Sequence, residues 1–230
     1  MKRKKTKYIS NLMKLSYLAN RTRPDIAYVV NKLAQYQNSP TIYHMKSLIH
    51  VCLYLRKTYD YGLLYMKPSD SQMIIFESEL PEDMEPYGYA DASYGEEDDR
   101  KSRSGYAFFA YGCLVSWASR KQNTVSLSST VAVYIALAGA TEEAIWLRQF
   151  LEEVNIKIKN PTVINQDNKS TIAIALNPVQ QKHTKYLDIK LKFLEDHIKN
   201  GKIHLTYCNT NKMIADIFTK PLTPSIFKQF

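Results

Sequence analysis

Cysteine is scarce, with three in 230 residues. Cys52, Cys113 and Cys208 are odd in number, widely spaced and without histidine at ligand distance, which argues against a disulfide framework or a zinc site. That usage predicts a reduced, intracellular protein, cytoplasmic or nuclear. Long apolar runs are also missing. The longest stretch without a charge or strong break, Val131 to Ala140, is about half of the roughly 20 residues that cross a bilayer, so no membrane partner is expected. A secretory leader is equally unsupported, because Asn11, Lys14, Ser16 and Asn20 interrupt any apolar region behind the basic start Met1 to Lys7. Acidic residues are the minority, 22 against 31 lysines and arginines. They are also unevenly placed: residues 1–60 carry 12 basic and 2 acidic groups, residues 61–100 carry 2 and 11, and the last 130 carry 17 and 9. A basic, acidic, basic succession suits a phosphate-binding surface beside a carboxylate cluster, although a solvated charged face accounts for the same counts equally well.

The apolar content, 45%, is that of a globular chain with room for one domain and a smaller neighbour. Helical spacing recurs in Leu12, Leu15, Leu18 and Ala19, in Ile26, Val29, Val30, Leu33 and Ala34, and in Leu48, Val51, Cys52 and Leu55. Three helices are expected, with Pro24 opening the second and Asn38 to Pro40 closing it. Tyr61–Tyr65 and Met73–Phe76 are expected to pair as a hairpin, and the acidic, proline-containing stretch after them marks a boundary between residues 1–80 and 81–230. Beyond it, Tyr87–Tyr94, Tyr106–Ala110 and Val115–Ala118 predict a three-stranded antiparallel meander. A long helix from Ser128 to Val154 follows, then a strand at Thr162–Asn165 and helices at Asn168–Leu176 and Tyr186–Lys199. A strand at Ile203–Cys208 and a helix at Met213–Thr219 complete the order. The fold class is α/β (α+β), a five-stranded mixed sheet flanked by helices, in an order that resembles the ribonuclease H-like fold.

Several segments resemble the Ty1/copia-type retrotransposon Pol polyprotein in order and spacing: Leu18 to Ala27, Gly88 to Ala92, Asp99 to Tyr106, Val115 to Trp117, Ser128 to Thr130, Tyr134 to Leu137, Asp167-Asn168, Thr184 to Ile189 and Ala215 to Leu222. The resemblance runs from about Tyr8 to the end. It implies that residues 1–80 are the helical tail and connection of a reverse transcriptase and that residues 81–230 are a ribonuclease H domain. It also implies that the polymerase site lies upstream of Met1; Tyr89-Ala90-Asp91-Ala92 is not that site, because no second aspartate follows Asp91. What the resemblance implies for chemistry is hydrolysis of the RNA strand of RNA/DNA hybrids by two Mg²⁺ ions, with Mn²⁺ as the alternative. The metal carboxylates carried over by motif are Asp91, Asp167 and Asp216; taken singly, each is more simply a surface or capping carboxylate.

The fourth ligand in the family is a glutamate, and Ser129-Thr130-Val131-Ala132-Val133-Tyr134 has valine where the family has two glutamates. Alignment on Tyr134-Ile135-Ala136 makes 133 the ligand position. Glu142 and Glu143 lie about 14 Å further along the helix at roughly 1.5 Å per residue and cannot replace it. The lost glutamate at 133 is also expected to remove a capping box with Thr130. Hydrolysis is therefore expected to be weak or absent, and two other functions compete with the enzyme: a hybrid-binding or scaffolding module, and a decayed element fragment, which the start inside a reverse transcriptase also suggests. Arg100, Lys101, Arg103, Arg120, Lys121, Lys182, His183 and Lys185 are expected to meet phosphates, and Ser104 and Asn168 sugar hydroxyls. For Asp188, capping of the helix 189–199 is the expected role. Trp117, Trp146 and the tyrosines are expected in the core more than as base platforms. Upstream Pol segments are the expected protein partners.

Overall fold

The computed structural model describes residues 2–65, 85–176 and 185–229, the side chains of residues 2–4 and 185–187 excepted. The chain divides into two compact units, Met1–Leu64 and Tyr65–Phe230.

The first unit consists of α1 (Lys2–Ala19), α2 (Ala27–Ala34) and α3 (Ile42–Lys57). Tyr8, Leu12, Leu15 and Ala19 recur every three or four residues, so one face of α1 is buried against Val30 and Leu33 of α2 and Leu48 and Val51 of α3. The buried Tyr8 hydroxyl donates to the Leu33 carbonyl at 2.8 Å. Pro24 begins a single 3-10 turn before α2, and Thr41 caps α3 in a reciprocal capping box with His44. Arg23 locks the loop after α1 to the end of α3. Its Nε and Nη2 grip both oxygens of Asp25 at 3.0 and 2.7 Å, and Nη1 and Nη2 donate to the Thr58 carbonyl and hydroxyl at 2.9 and 2.7 Å. Tyr54 donates to the same carboxylate at 2.8 Å. The segment Thr22-Arg23-Pro24-Asp25 is thus a structural clamp. Tyr61–Tyr65, the first arm of the expected hairpin, carries no strand, and Tyr61, Leu64 and Tyr65 are exposed. The expected second arm, Met73–Phe76, lies outside the described residues.

The second unit is a mixed sheet in the order β3-β2-β1-β4-β5, with β1 (Tyr87–Ser93), β2 (Arg103–Ala110) and β3 (Cys113–Lys121) antiparallel, and β4 (Thr162–Gln166) and β5 (Ile203–Tyr207) parallel to β1. Helix α4 (Ser129–Glu153) packs on β1, β2 and α6 (Lys185–Lys199), and α5 (Lys169–Leu176) lies against α4 and α6. The core gathers Ala90, Tyr106, Phe108, Val133, Leu137, Ala140, Ala144, Ile164, Leu194 and Leu205. Alanines at 136, 140 and 144 let α4 approach the strands closely, which is why this helix is apolar enough for a membrane span yet has 56% of its most apolar window buried in the fold. The architecture is the ribonuclease H-like fold, with helices on both faces of the sheet.

Three local expectations are corrected. Ser128, not Thr130, caps α4, its hydroxyl accepting from the Val131 N–H at 3.2 Å. Asp188 lies inside the first turn of α6, which already starts at Lys185, so it faces the helix dipole without being the cap. The last predicted helix shortens to α7 (Asp216–Thr219), after a 3-10 turn at Thr210–Lys212, and α8 (Pro224–Phe227) follows it unforeseen.

Candidate functional site

Strand pairing brings the first two aspartates to one end of the sheet. Tyr89 of β1 stands beside Asn165 of β4, and two residues further along these parallel strands come Asp91 and Asp167. On its other side Asp91 pairs with Gly105 of β2. A Cβ at Gly105 would lie 2.7 Å from Phe218 Cβ and Thr219 Cγ2, so only glycine lets α7 sit directly on the strand there. The Ser119 hydroxyl of β3 secures α7 from below by donating to the Phe218 carbonyl at 2.6 Å.

That seat delivers the third aspartate. Thr219 donates to Asp91 Oδ2 at 2.6 Å, and the Lys220 ammonium lies 2.9 Å from Asp216 Oδ1 and 3.9 Å from Asp91 Oδ2. Asp91 and Asp216 are 6% and 5% exposed, so both charges are held out of water. Lys220 is close to Asp216 Oδ1 but off the hydrogen-bonding direction, which leaves that buried oxygen with a neighbouring charge and no directional donor. Burial, and then the charge of Asp91, push the Asp216 carboxyl well above the ordinary carboxylate range, against the pull of Lys220. Burial works to lower the Lys220 ammonium, and the carboxylates of Asp91, Asp216 and Asp167 outweigh it and hold it raised. The Cys208 thiol, just past β5, is pushed up to about 11 by burial first and then by the same three carboxylates. Asp167 thus shares the field of the other two, while its Oδ2 accepts from Thr210 at 2.8 Å.

Among the described residues no three His, Cys, Asp or Glu side chains converge tightly enough to hold a metal ion together. Two convergent carboxylates, one with an oxygen lacking a directional donor, do suit a Mg²⁺-like cation, which commonly takes one or two carboxylates and completes its shell with water and substrate phosphate. Val133 is 4% exposed within the apolar cluster that also holds Ala90, and its side chain brings no donor oxygen to a cation. Gln122 fixes this part of the helix by donating to the Ala132 carbonyl at 2.8 Å.

The basic residues separate into distinct roles. Arg100 and Arg120 are exposed, and the Arg120 guanidinium lies 5.7 Å from the ring centroid of Tyr106. Lys101 and Lys121 are half-buried and share Asp99, at 3.5 and 2.9 Å. Arg103 is a correction to the expected phosphate contacts. It is fully buried, with Nη2 at 2.6 Å from Glu97 Oε1 and Nη1 donating to Ser119, so it supports the seat of α7 from inside. Ser104 accepts from Gln122 at 2.9 Å, and Asn168 accepts the Thr171 N–H at 3.0 Å as a cap on α5. Lys182 and His183 lie outside the described residues, as does the side chain of Lys185. Thr219, Lys220 and Cys208 escaped the sequence-based expectation. The first two stood inside the Ala215–Leu222 segment beside Asp216, whereas nothing in the sequence pointed to Cys208.

No protein-family model matches the chain. Its relatives are more informative: the retrovirus-related Pol polyprotein from transposon RE1 of Arabidopsis thaliana is 32% identical over 226 residues, which is 98% of this chain. The chain belongs to the copia-type Pol polyprotein family. This copia-type chain spans 14% of the length of the RE1 polyprotein. It is also similar to secreted RxLR effector protein 161 of Plasmopara viticola, 39% identical over 145 residues, which are 63% of the copia-type chain and 93% of that protein. Among solved structures, foamy viral protease-reverse transcriptase in complex with RNA/DNA hybrid matches 95% of the chain and 26% of its own, with TM-score 0.56 and 12% identity. That likeness concerns the fold.

Proposed function

We propose that this copia-type segment is a ribonuclease H domain, with a reverse-transcriptase tail before it, that binds RNA/DNA hybrid at the Asp91–Asp216 end of its sheet and cleaves the RNA strand far more slowly than a domain with glutamate at 133. The observation that carries this is the convergence of Asp91 and Asp216, both buried, on one ammonium, with Asp167 in their field. Elsewhere in a protein such a pair is costly, and its persistence marks a cation-binding role. Asp91 and Asp216 would hold a Mg²⁺ ion, which supplies charge neutralisation at a phosphodiester and a water acidic enough to attack it. Thr219 orients Asp91 through Oδ2, and the field of Asp167 adds negative charge without a direct bond. Arg100 and Arg120 are exposed cations for the hybrid backbone. A valine side chain donates nothing at 133, so the charge on the opposite reacting oxygen goes uncompensated, a loss of several kcal/mol, or more than about a hundredfold in rate.

Binding without hydrolysis is the second reading, favoured by the burial of Val133 in the apolar core. Upstream Pol segments are the proposed partners of the helical unit, since the RE1 relative is much longer than the chain. The test is a labelled RNA/DNA hybrid with purified protein in Mg²⁺ and in Mn²⁺, scored for binding and for cleavage, alongside Asp91→Asn. Salt-sensitive binding with slow, Asp91-dependent cleavage supports the enzyme. Binding with cleavage indistinguishable from Asp91→Asn selects the scaffold, and absence of binding at low salt removes both.

A further inference from the structure

We infer that Lys220 is a tethered counter-cation of the Asp91–Asp216 pair, so that a divalent cation enters only by displacing its ammonium and Lys220 sets the affinity of the site. The inference rests on the reading of these carboxylates as a cation site. Its basis is the contrast between groups that are fixed and one that is free to leave. Asp91 is held in a strand, nine-tenths buried, with Thr219 on its Oδ2, and Asp216 is fixed at the first position of α7 and equally buried. Neither carboxylate can turn to solvent.

Lys220 differs on each count. It follows the last residue of α7 with an extended backbone, φ −146° and ψ 158°, and its side chain is 33% exposed, so its stem has a path out to water. Its ammonium sits 2.9 Å from one carboxylate and 3.9 Å from the other, in the space where an ion shared by both would be. Two buried like charges need a cation near them, and a lysine, as a compact point charge on a flexible stem, serves until a better one arrives. Because the approach to Asp216 Oδ1 is off the hydrogen-bonding direction, the lysine satisfies charge and leaves the directional demand of that oxygen unmet.

The experiment measures Mn²⁺ binding to the full chain by calorimetry, without nucleic acid, for wild type, Lys220→Met, Lys220→Arg and Asp91→Asn. Removing a competing positive charge at this range is expected to lower the Mn²⁺ dissociation constant by about tenfold or more in Lys220→Met. Lys220→Arg, which keeps the charge, is expected to stay near wild type, and Asp91→Asn to bind much more weakly. A second measurement uses the wild type alone, so that a variant that fails to fold leaves the inference testable: acetylation of Lys220, followed by mass spectrometry, is expected to accelerate when Mn²⁺ is added. Equal Mn²⁺ affinity in wild type and Lys220→Met, or a Lys220 acetylation rate indifferent to Mn²⁺ that is bound, overturns the tethered-cation inference and leaves the site reading intact. Failure of wild type and Lys220→Met alike to bind Mn²⁺ overturns both.

Discussion

The Ser128 hydroxyl accepts the Val131 backbone N–H, which makes 131 the third position of α4 and places Val131, not Val133, where a capping-box carboxylate belongs. Val131 is also the more accessible of the two valines, half-buried against 4% exposure for Val133. Val131→Glu is therefore expected to stabilise the protein by about 0.5–1 kcal/mol, through the reciprocal bond to Ser128 and the charge at the helix N-terminus. Urea denaturation followed at 222 nm measures it, and a neutral or negative change would mean that the cap is not closed by this pair.

Much of this architecture was legible from periodicity. The strands of the meander and the long helix declared themselves because alternation and three-to-four spacing reflect faces that must be buried. Asp91, Asp167 and Asp216 were legible only through resemblance, since each alone is an ordinary carboxylate; the pairing of β1 with β4 and the seat of α7 on Gly105 are what give them a common field. What stayed hidden depended on three-dimensional partners. Arg103 has the same charge as Arg100 and Arg120, and only Glu97 and Ser119 around it turn it into a core residue. The Ser128 cap was obscured because Ser128, Ser129 and Thr130 are all capping residue types, and the choice among them is made by the turn that packs on Gln122.

Arg103 and Arg120 should consequently fail in different ways. Arg103→Ala removes the buried ion pair with Glu97, a loss of about 3–5 kcal/mol that also loosens the Ser119 support of α7. Arg120→Ala touches an exposed guanidinium and is expected to cost under about 1 kcal/mol in stability. If Arg120 meets a phosphate, that variant lowers the logarithmic salt slope of hybrid binding by about 0.9 on the duplex scale. Melting curves and salt titrations of both variants check this; loss of slope without loss of stability in Arg103→Ala would contradict its structural role.

The helical unit carries its own test in the Arg23 clamp. Asp25 accepts from Arg23 and from Tyr54, and burial together with the Asp25 carboxylate holds the Tyr54 phenol up at about 12. Asp25→Asn keeps the shape and removes the charge, so the guanidinium loses its bidentate partner at a cost of about 3–5 kcal/mol to this unit. Tyr54→Phe removes one hydrogen bond and is expected to cost about 1 kcal/mol. Hydrogen exchange at α1 and α3 reads both, and equal losses from the two variants would show that the ion pair is not the dominant part of the clamp.

The most discriminating pair of variants is Val133→Glu and Val131→Glu in the cleavage assay. The resemblance implies that position 133 is the family's metal-ligand position, whereas 131 lies two residues earlier and, at about 100° per residue, roughly 200° around the helix. Val133→Glu moves a carboxylate into the cluster around Ala90 and Tyr106, so without divalent ions it is expected to destabilise the fold by about 1–3 kcal/mol. Mg²⁺ is expected to recover part of that loss and to raise hydrolysis of the RNA strand about a hundredfold above the natural sequence. Val131→Glu is expected to leave the cleavage rate where it was while gaining stability. Calorimetric melting with and without Mg²⁺, run beside cleavage time courses, separates the effects. Equal rescue by both variants, or rescue by Val131→Glu alone, would place the ligand position on the wrong face of α4. Destabilisation of Val133→Glu that Mg²⁺ does not relieve would make Val133 a core residue and nothing more.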